Sequence, residues 1–236
     1  MRWNRASRGA TTNGTTRTRS PIGAERDPRR VVAFSDAVTA IAITLLVLEI
    51  RPPRDTEHLM RGLLDLWPSY LAYGVTFLLI GQMWVNHHVM FDHIRSADRL
   101  LLLLNTLLLM VIAFLPFVSS VLARAFEEGP GKRTALVFYG IVYGTAAILF
   151  NVIWEYAKGG HRLLTSTTDD ATARAISRRF RPAPAWIAVG TALCVVHPIA
   201  GLIVVAAFIP FYWLPIKGEV DSIRRTRAQA AHDGPA

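Results

Sequence analysis

Apolar residues come in long runs separated by short polar segments, and each run has its own punctuation. The first, RVVAFSDAVTAIAITLLVLEI over residues 30–50, predicts a helix over about 31–50. Asp27-Pro28 supplies a cap and a first-turn proline, and Arg51-Pro52-Pro53 ends the helix. A short polar connection follows, with an interfacial turn around Met60–Trp67. The second helix spans about 67–90. Its first turn holds Pro68, and Trp67, Tyr70 and Tyr73 form an aromatic belt at one interface. Gly74 and Gly81 are seven apart on nearly one face, which admits a close neighbour helix. The third helix spans about 98–123, with Asn105 as the strongly polar residue of its first half. Pro116 is expected to kink it, and Ser119 and Ser120 to satisfy the freed backbone groups. A turn over 124–133 containing Gly129, Pro130 and Gly131 leads to a fourth helix over about 134–157. The polar segment 158–183 suits a short surface helix. Residues 184–216 are apolar and too long for one straight span of a ~30 Å hydrocarbon core. A tight turn at His197-Pro198 divides them into helices over 184–197 and 199–216.

The pattern is that of an all-α integral membrane protein with six transmembrane helices. Its transmembrane domain, residues 30–216, is flanked by a disordered basic tail over 1–29 and a polar tail over 217–236.

Composition agrees: of 236 residues, 52% are hydrophobic and only 18% charged, against about 25% charged in soluble domains. A net charge of +9 raises nucleic acid as a partner, but the arginines sit in the segments flanking apolar runs, which argues against it. With six helices, 20 of the 26 Lys and Arg fall on one side, which places both termini in the cytoplasm by the positive-inside rule. The single cysteine, Cys194, excludes an intrachain disulfide and a cysteine metal site. The Arg-rich start is not a secretory signal peptide.

The chemistry is concentrated in the first three helices. Asp36 lies within an apolar run, where an isolated carboxylate costs roughly 2.5–3.5 kcal/mol near a helix centre and requires a partner. Arg30 is about 240° away on the helix and cannot pair with it. Candidate partners are Trp84, His87, His88 and Asn105 on the second and third helices. Ile41, Thr44, Leu45 and Leu48 share one face, roughly opposite Asp36. By periodicity alone these are packing residues, with Thr44 bonding its own i−4 carbonyl. His87, His88, Asp92 and His93 raise a metal site, but there is no HExxH, and an interhelical hydrogen-bond network is the better reading. Glu49 is a solvated end-of-helix charge or, if several first helices meet at an axis, part of an acidic ring.

Arg30-x-x-x-Phe34-Ser35-Asp36 at the start of a first transmembrane helix, followed by AIAITLLVLEI, resembles the signature of the transmembrane-protein-175 family of potassium channels. Trp84, His87-His88, Asn105 and Phe114-x-Pro116-Phe117 extend the resemblance, which covers about residues 30–120. It implies a potassium-permeable cation channel, not an enzyme, whose first helices line the pore. It also implies a hydrophobic constriction in place of a glycine-rich filter loop; no TVGYG is present. By position from Asp36, Ile41 forms the constriction, with Thr44 and Leu48 further out. Arg30, Phe34, Ser35, Asp36, Trp84, His87, His88 and Asn105 form a structural polar network. Animal members carry two six-helix repeats, so one set per chain implies a homotetramer in the bilayer of the cell (inner) membrane. Potassium ions are the permeant partner, with no cofactor, metal or nucleic acid.

Two rivals follow from the residues themselves. A proton-coupled secondary transporter would use Asp36 and the second-helix histidines as a relay. A membrane-embedded metal hydrolase would use His87, His88 and His93.

Overall fold

Asp27 and Pro28 begin the first helix. The Asp27 carboxylate accepts a hydrogen bond from the Arg29 N–H at 2.9 Å. Pro28, which has no N–H to satisfy, sits in the first turn. Helix α1 then runs Pro28–Leu48. The computed structural model describes residues 27–207 and 209–210. The expected tail over 1–26, the end of the last apolar run and the tail over 217–236 lie outside the described residues.

Among the described residues seven further helices follow: α2 (Leu59–Asp65), α3 (Trp67–Phe91), α4 (Arg99–Glu128), α5 (Lys132–Lys158), α6 (Asp170–Phe180), α7 (Pro182–Val196) and α8 (Pro198–Ala206). A 3₁₀ turn, Gly159–His161, closes α5. Among the described residues there is no strand, only one isolated antiparallel bridge between Ile94 and Leu164. Helices α1, α4 and α5 are each long and apolar enough to cross a membrane. Helices α2 and α3, bent by 46° at their junction, together make a fourth such span. The fifteen residues of α7 extend about 22 Å, short of a ~30 Å core.

Helix α4 continues to Glu128, through the first half of the turn expected over 124–133. Arg124, Ala125, Phe126, Glu127 and Glu128 favour helix, and the first residue able to stop it is Gly129, in the left-handed region at φ 89°. Pro116 stays inside this one helix and is buried. Nearby, Ser119 accepts a hydrogen bond from Thr76 of α3 at 3.1 Å, and Ser120 donates to the Phe117 carbonyl.

The core lies between α1, α3, α4 and α5, where Leu46, Leu79, Ile80, Leu108, Leu115 and Trp154 are almost fully buried. Helices α7 and α8 form an antiparallel hairpin turning at His197-Pro198. Gly201 lies so close to Cys194 that an added Cβ would fall 2.5 Å from its backbone nitrogen. The Trp186 indole donates to the Val204 carbonyl at 2.8 Å. Gly74 and Gly81 face open space. The close approach expected at those two glycines is not made among the described residues.

One end of the bundle is stapled. Arg95 N–H donates to the Leu163 carbonyl and Thr165 N–H to the His93 carbonyl, both at 2.9 Å. Asp98 caps α4 through the Leu101 N–H at 2.9 Å and accepts from Tyr156 at 2.5 Å and Arg162 at 2.6 Å. Partial burial pushes the Asp98 carboxyl up, but these hydrogen bonds outweigh it and hold it below the usual carboxylate range.

Candidate functional site

Helix α1 has two faces. Val31, Ser35, Thr39, Ala42 and Leu46 are buried, packed toward α3 and α4. Opposite them, Arg30, Phe34, Ala37, Ile41, Thr44 and Leu48 are exposed. Their spacing alternates four and three residues, the seam by which helices pack against copies of themselves. Phe34 is 60% exposed, Ile41 59% and Leu48 73%. The Thr44 hydroxyl donates to the Ile41 carbonyl at 2.8 Å, the i−3 position and not the expected i−4, so its proton is spent and its oxygen remains an acceptor.

A second exposed line on α4 has similar spacing: Leu100, Leu103, Leu107, Met110, Phe114 and Phe117. It is uniformly large and apolar, which suits lipid tails. The α1 line differs in carrying a charge, an alanine and a hydroxyl among its apolar residues.

Behind α1 runs a buried chain of hydrogen bonds. His87 Nε2–H donates to Asn105 Oδ1 at 2.9 Å. Asn105 Nδ2 donates to Ser35 Oγ at 3.0 Å, and Ser35 Oγ donates to the Val31 carbonyl at 2.8 Å. Each donor is used once, and the chain joins α3, α4 and α1. The three side chains are 2–3% exposed, where such bonds are costly to lose. The His87 ring stacks on Phe91 with centroids 4.3 Å apart.

Asp36 is held separately, at the half-exposed edge of the same interface. The Trp84 indole N–H donates to its Oδ1 at 3.0 Å, and His88 Nε2 lies 3.6 Å from the same oxygen. His88 Nδ1 faces the Trp84 carbonyl at 3.2 Å, so Nδ1 carries a proton. The neutral ring therefore turns a lone pair toward Asp36, and the protonated ring an N–H.

The structure thus brings six of the eight expected network residues into two groups: Ser35, His87 and Asn105, and Asp36, Trp84 and His88. Arg30 and Phe34 are not among them. They lie on the exposed line with Ile41, and Arg30 makes no hydrogen bond or ion pair with the described residues. The missed signal was the four-three spacing, which extends the Ile41–Thr44–Leu48 face back to Arg30. Glu49 is exposed just beyond α1. His93 turns away from His87 and His88 to bond Thr168 at 3.0 Å. No three His, Cys, Asp or Glu side chains among the described residues are grouped to hold a metal ion.

The sequence profile of the family described as endosomal/lysosomal potassium channel TMEM175 matches residues 30–116. A potassium channel of Chamaesiphon minutus is 42% identical over 168 residues, 70% of this chain and 82% of that protein. The chain belongs to the TMEM175 family. The crystal structure of a lysosomal potassium-selective channel TMEM175 homologue from Chamaesiphon minutus superposes with a TM-score of 0.71 at 36% identity, covering 78% of this chain and 95% of that one. A Gallus gallus relative named as an endosomal/lysosomal proton channel TMEM175 is 35% identical over 138 residues, 54% of this chain and 28% of that protein. The TMEM175 match over 30–116 takes in α1, α3 and most of α4, the helices that carry both polar groups and the exposed line.

Proposed function

We propose that four copies of this chain assemble in the cell membrane as a potassium-permeable channel whose pore is lined by the exposed face of α1. The observation that carries this reading is the line Arg30, Phe34, Ala37, Ile41, Thr44, Leu48, left exposed by the described residues and spaced for helix self-association. The relatives named potassium channels support the permeant ion. In this assembly each chain contributes six transmembrane helices over residues 30–216, the α7–α8 region supplying the last two, with both tails in the cytoplasm. Four Ile41 side chains form a collar that gates by dewetting or partial dehydration. Thr44 oxygens, their protons committed to the backbone, replace water ligands of a passing cation, which favours the more easily dehydrated K⁺ over Na⁺. Leu48 continues the apolar wall outward. Ser35–Asn105–His87 and Asp36–Trp84–His88 fix α1 against α3 and α4, and so set the pore diameter without touching the ion.

The test is a reversal potential in liposomes holding the purified protein under a K⁺/Na⁺ gradient. The current should reverse toward the K⁺ equilibrium potential, and Ile41→Asn should raise conductance and lower selectivity. Currents unchanged by Ile41→Asn would remove that residue from the pore.

A second reading is favoured by the contact between Asp36 and His88. A carboxylate and an imidazole 3.6 Å apart at a half-exposed position suit proton exchange in a proton-coupled carrier or a proton-permeable channel. That reading predicts flux driven by a pH gradient and abolished by Asp36→Asn, with assembly intact. The structural role of Asp36 predicts loss of assembly instead.

A further inference from the structure

Gln82 is a polar side chain with no visible means of satisfaction. It lies on α3, is 4% exposed, and neither its Oε1 nor its Nε2 meets a partner among the described residues. Buried amides in native proteins are bonded to protein or to ordered water. The described residues of this one chain cover almost all of Gln82.

The same residue lines a half-open pocket, with about 30 Å³ of water-sized space, between α3, α5 and the junction of α6 with α7. Asn86 and Asn151 share the lining. Asn151 Nδ2 donates to the Ala147 and Phe180 carbonyls, both at 2.9 Å. Both its hydrogens are spent, and its Oδ1 is left as an acceptor. The rest of the lining is largely apolar, including Met83 and Phe150, and no charged side chain contributes. An occupant must therefore be neutral, small, and able both to donate and to accept hydrogen bonds.

We propose that this pocket is a hydration site, occupied by water that bonds the buried Gln82 amide and Asn151 and joins α3 to α5. A void needs roughly 10–15 Å³ per water by this measure, so it holds about two. The site is separate from the exposed line of α1 and from both polar groups behind it.

Two methionines of α3 give the test an internal control. Met83 lines the pocket and Met90 does not, yet they are 4% and 0% exposed respectively. Radiolysis of the intact protein generates hydroxyl radicals from bound water, which oxidise adjacent thioethers. Mass spectrometry should show Met83 oxidised several-fold faster than Met90, and Gln82→Leu should reduce Met83 to the Met90 rate. A wild-type ratio near one would overturn the proposal, as would fast Met83 oxidation that persists in Gln82→Leu. If Gln82→Leu fails to fold, the wild-type ratio decides alone.

Discussion

Replacing Asn105 by alanine tests how α1 is held. The side chain is the centre of a three-residue chain, accepting from His87 at 2.9 Å and donating to Ser35 at 3.0 Å. Truncation removes both bonds and strands the His87 Nε2–H at a position 3% exposed. An orphaned buried donor costs about 1–3 kcal/mol, and the lost packing of a small side chain adds about 1 kcal/mol, so the expected total is ~2–4 kcal/mol. The assay is unfolding of the purified protein in mixed micelles titrated with denaturing detergent. Thr106→Ala is the control, because that exposed hydroxyl bonds only the Leu102 carbonyl of its own helix; its effect should stay below about 0.5 kcal/mol. A double-mutant cycle with His87→Leu should then return a coupling of about 0.5–3 kcal/mol. If Asn105→Ala costs no more than Thr106→Ala, or the cycle shows no coupling, the buried chain is not what fastens α1.

Substitutions at two further positions probe the frame around the site. Asp98→Asn keeps a cap for α4 but weakens the contacts to Tyr156 and Arg162. Because the folded-state pKa of Asp98 is lowered, its contribution is present above the unfolded value of about 3.9 and lost as pH falls through the folded value. The wild type should therefore lose this stability on acidification below about pH 4, and Asp98→Asn should not. Asp98→Ala, which also removes the cap, should cost about 0.5–2 kcal/mol more than Asp98→Asn in the same unfolding titration. Gly201→Ala drives a methyl group into the backbone of Cys194, which cannot yield as a flexible side chain would; a loss of about 1–3 kcal/mol is expected, read as a lower thermal midpoint.

Periodicity and punctuation made most of the helices legible. Asp27-Pro28 and Asp98 start helices for reasons visible in the sequence, and Asp169 caps α6 through the Thr172 N–H at 2.8 Å. Helix α4 runs past its expected end because Arg124–Glu128, though without the apolar character of the run before it, sustains helix up to Gly129. Partners were harder to assign than positions. Trp84, His87, His88 and Asn105 were all recognisable as candidates for Asp36. Their division into a buried group around Ser35 and a half-exposed group around Asp36 depends on the rotation of α3 against α1. Arg30 and Phe34 drew attention through their place in a signature, whereas the wheel sets them on the opposite face from Ser35. Gln82 gave no signal at all, since its isolation depends on what α5 and α7 fail to offer.

The paired loops at one end of the bundle bear on how the molecule deforms. Residues 93–98 and 162–168 are bound to each other by main-chain and side-chain bonds, so α3, α4 and α5 share an anchored base there. At the opposite end α2 buries none of its residues, but the Ser69 hydroxyl of α3 donates to Glu127 of α4 at 2.7 Å, and Lys132 at the start of α5 lies over the Phe126 ring. Opening free energies follow such differences in local bonding. Helices α3, α4 and α5 are thus fastened at both ends, more heavily at the looped base. Helix α1 makes its side-chain hydrogen bonds to the other described helices near its start, at Ser35 and Asp36, and Leu48 lies about 18 Å further along, so a small tilt at those two groups is a larger displacement at the far end of the exposed line.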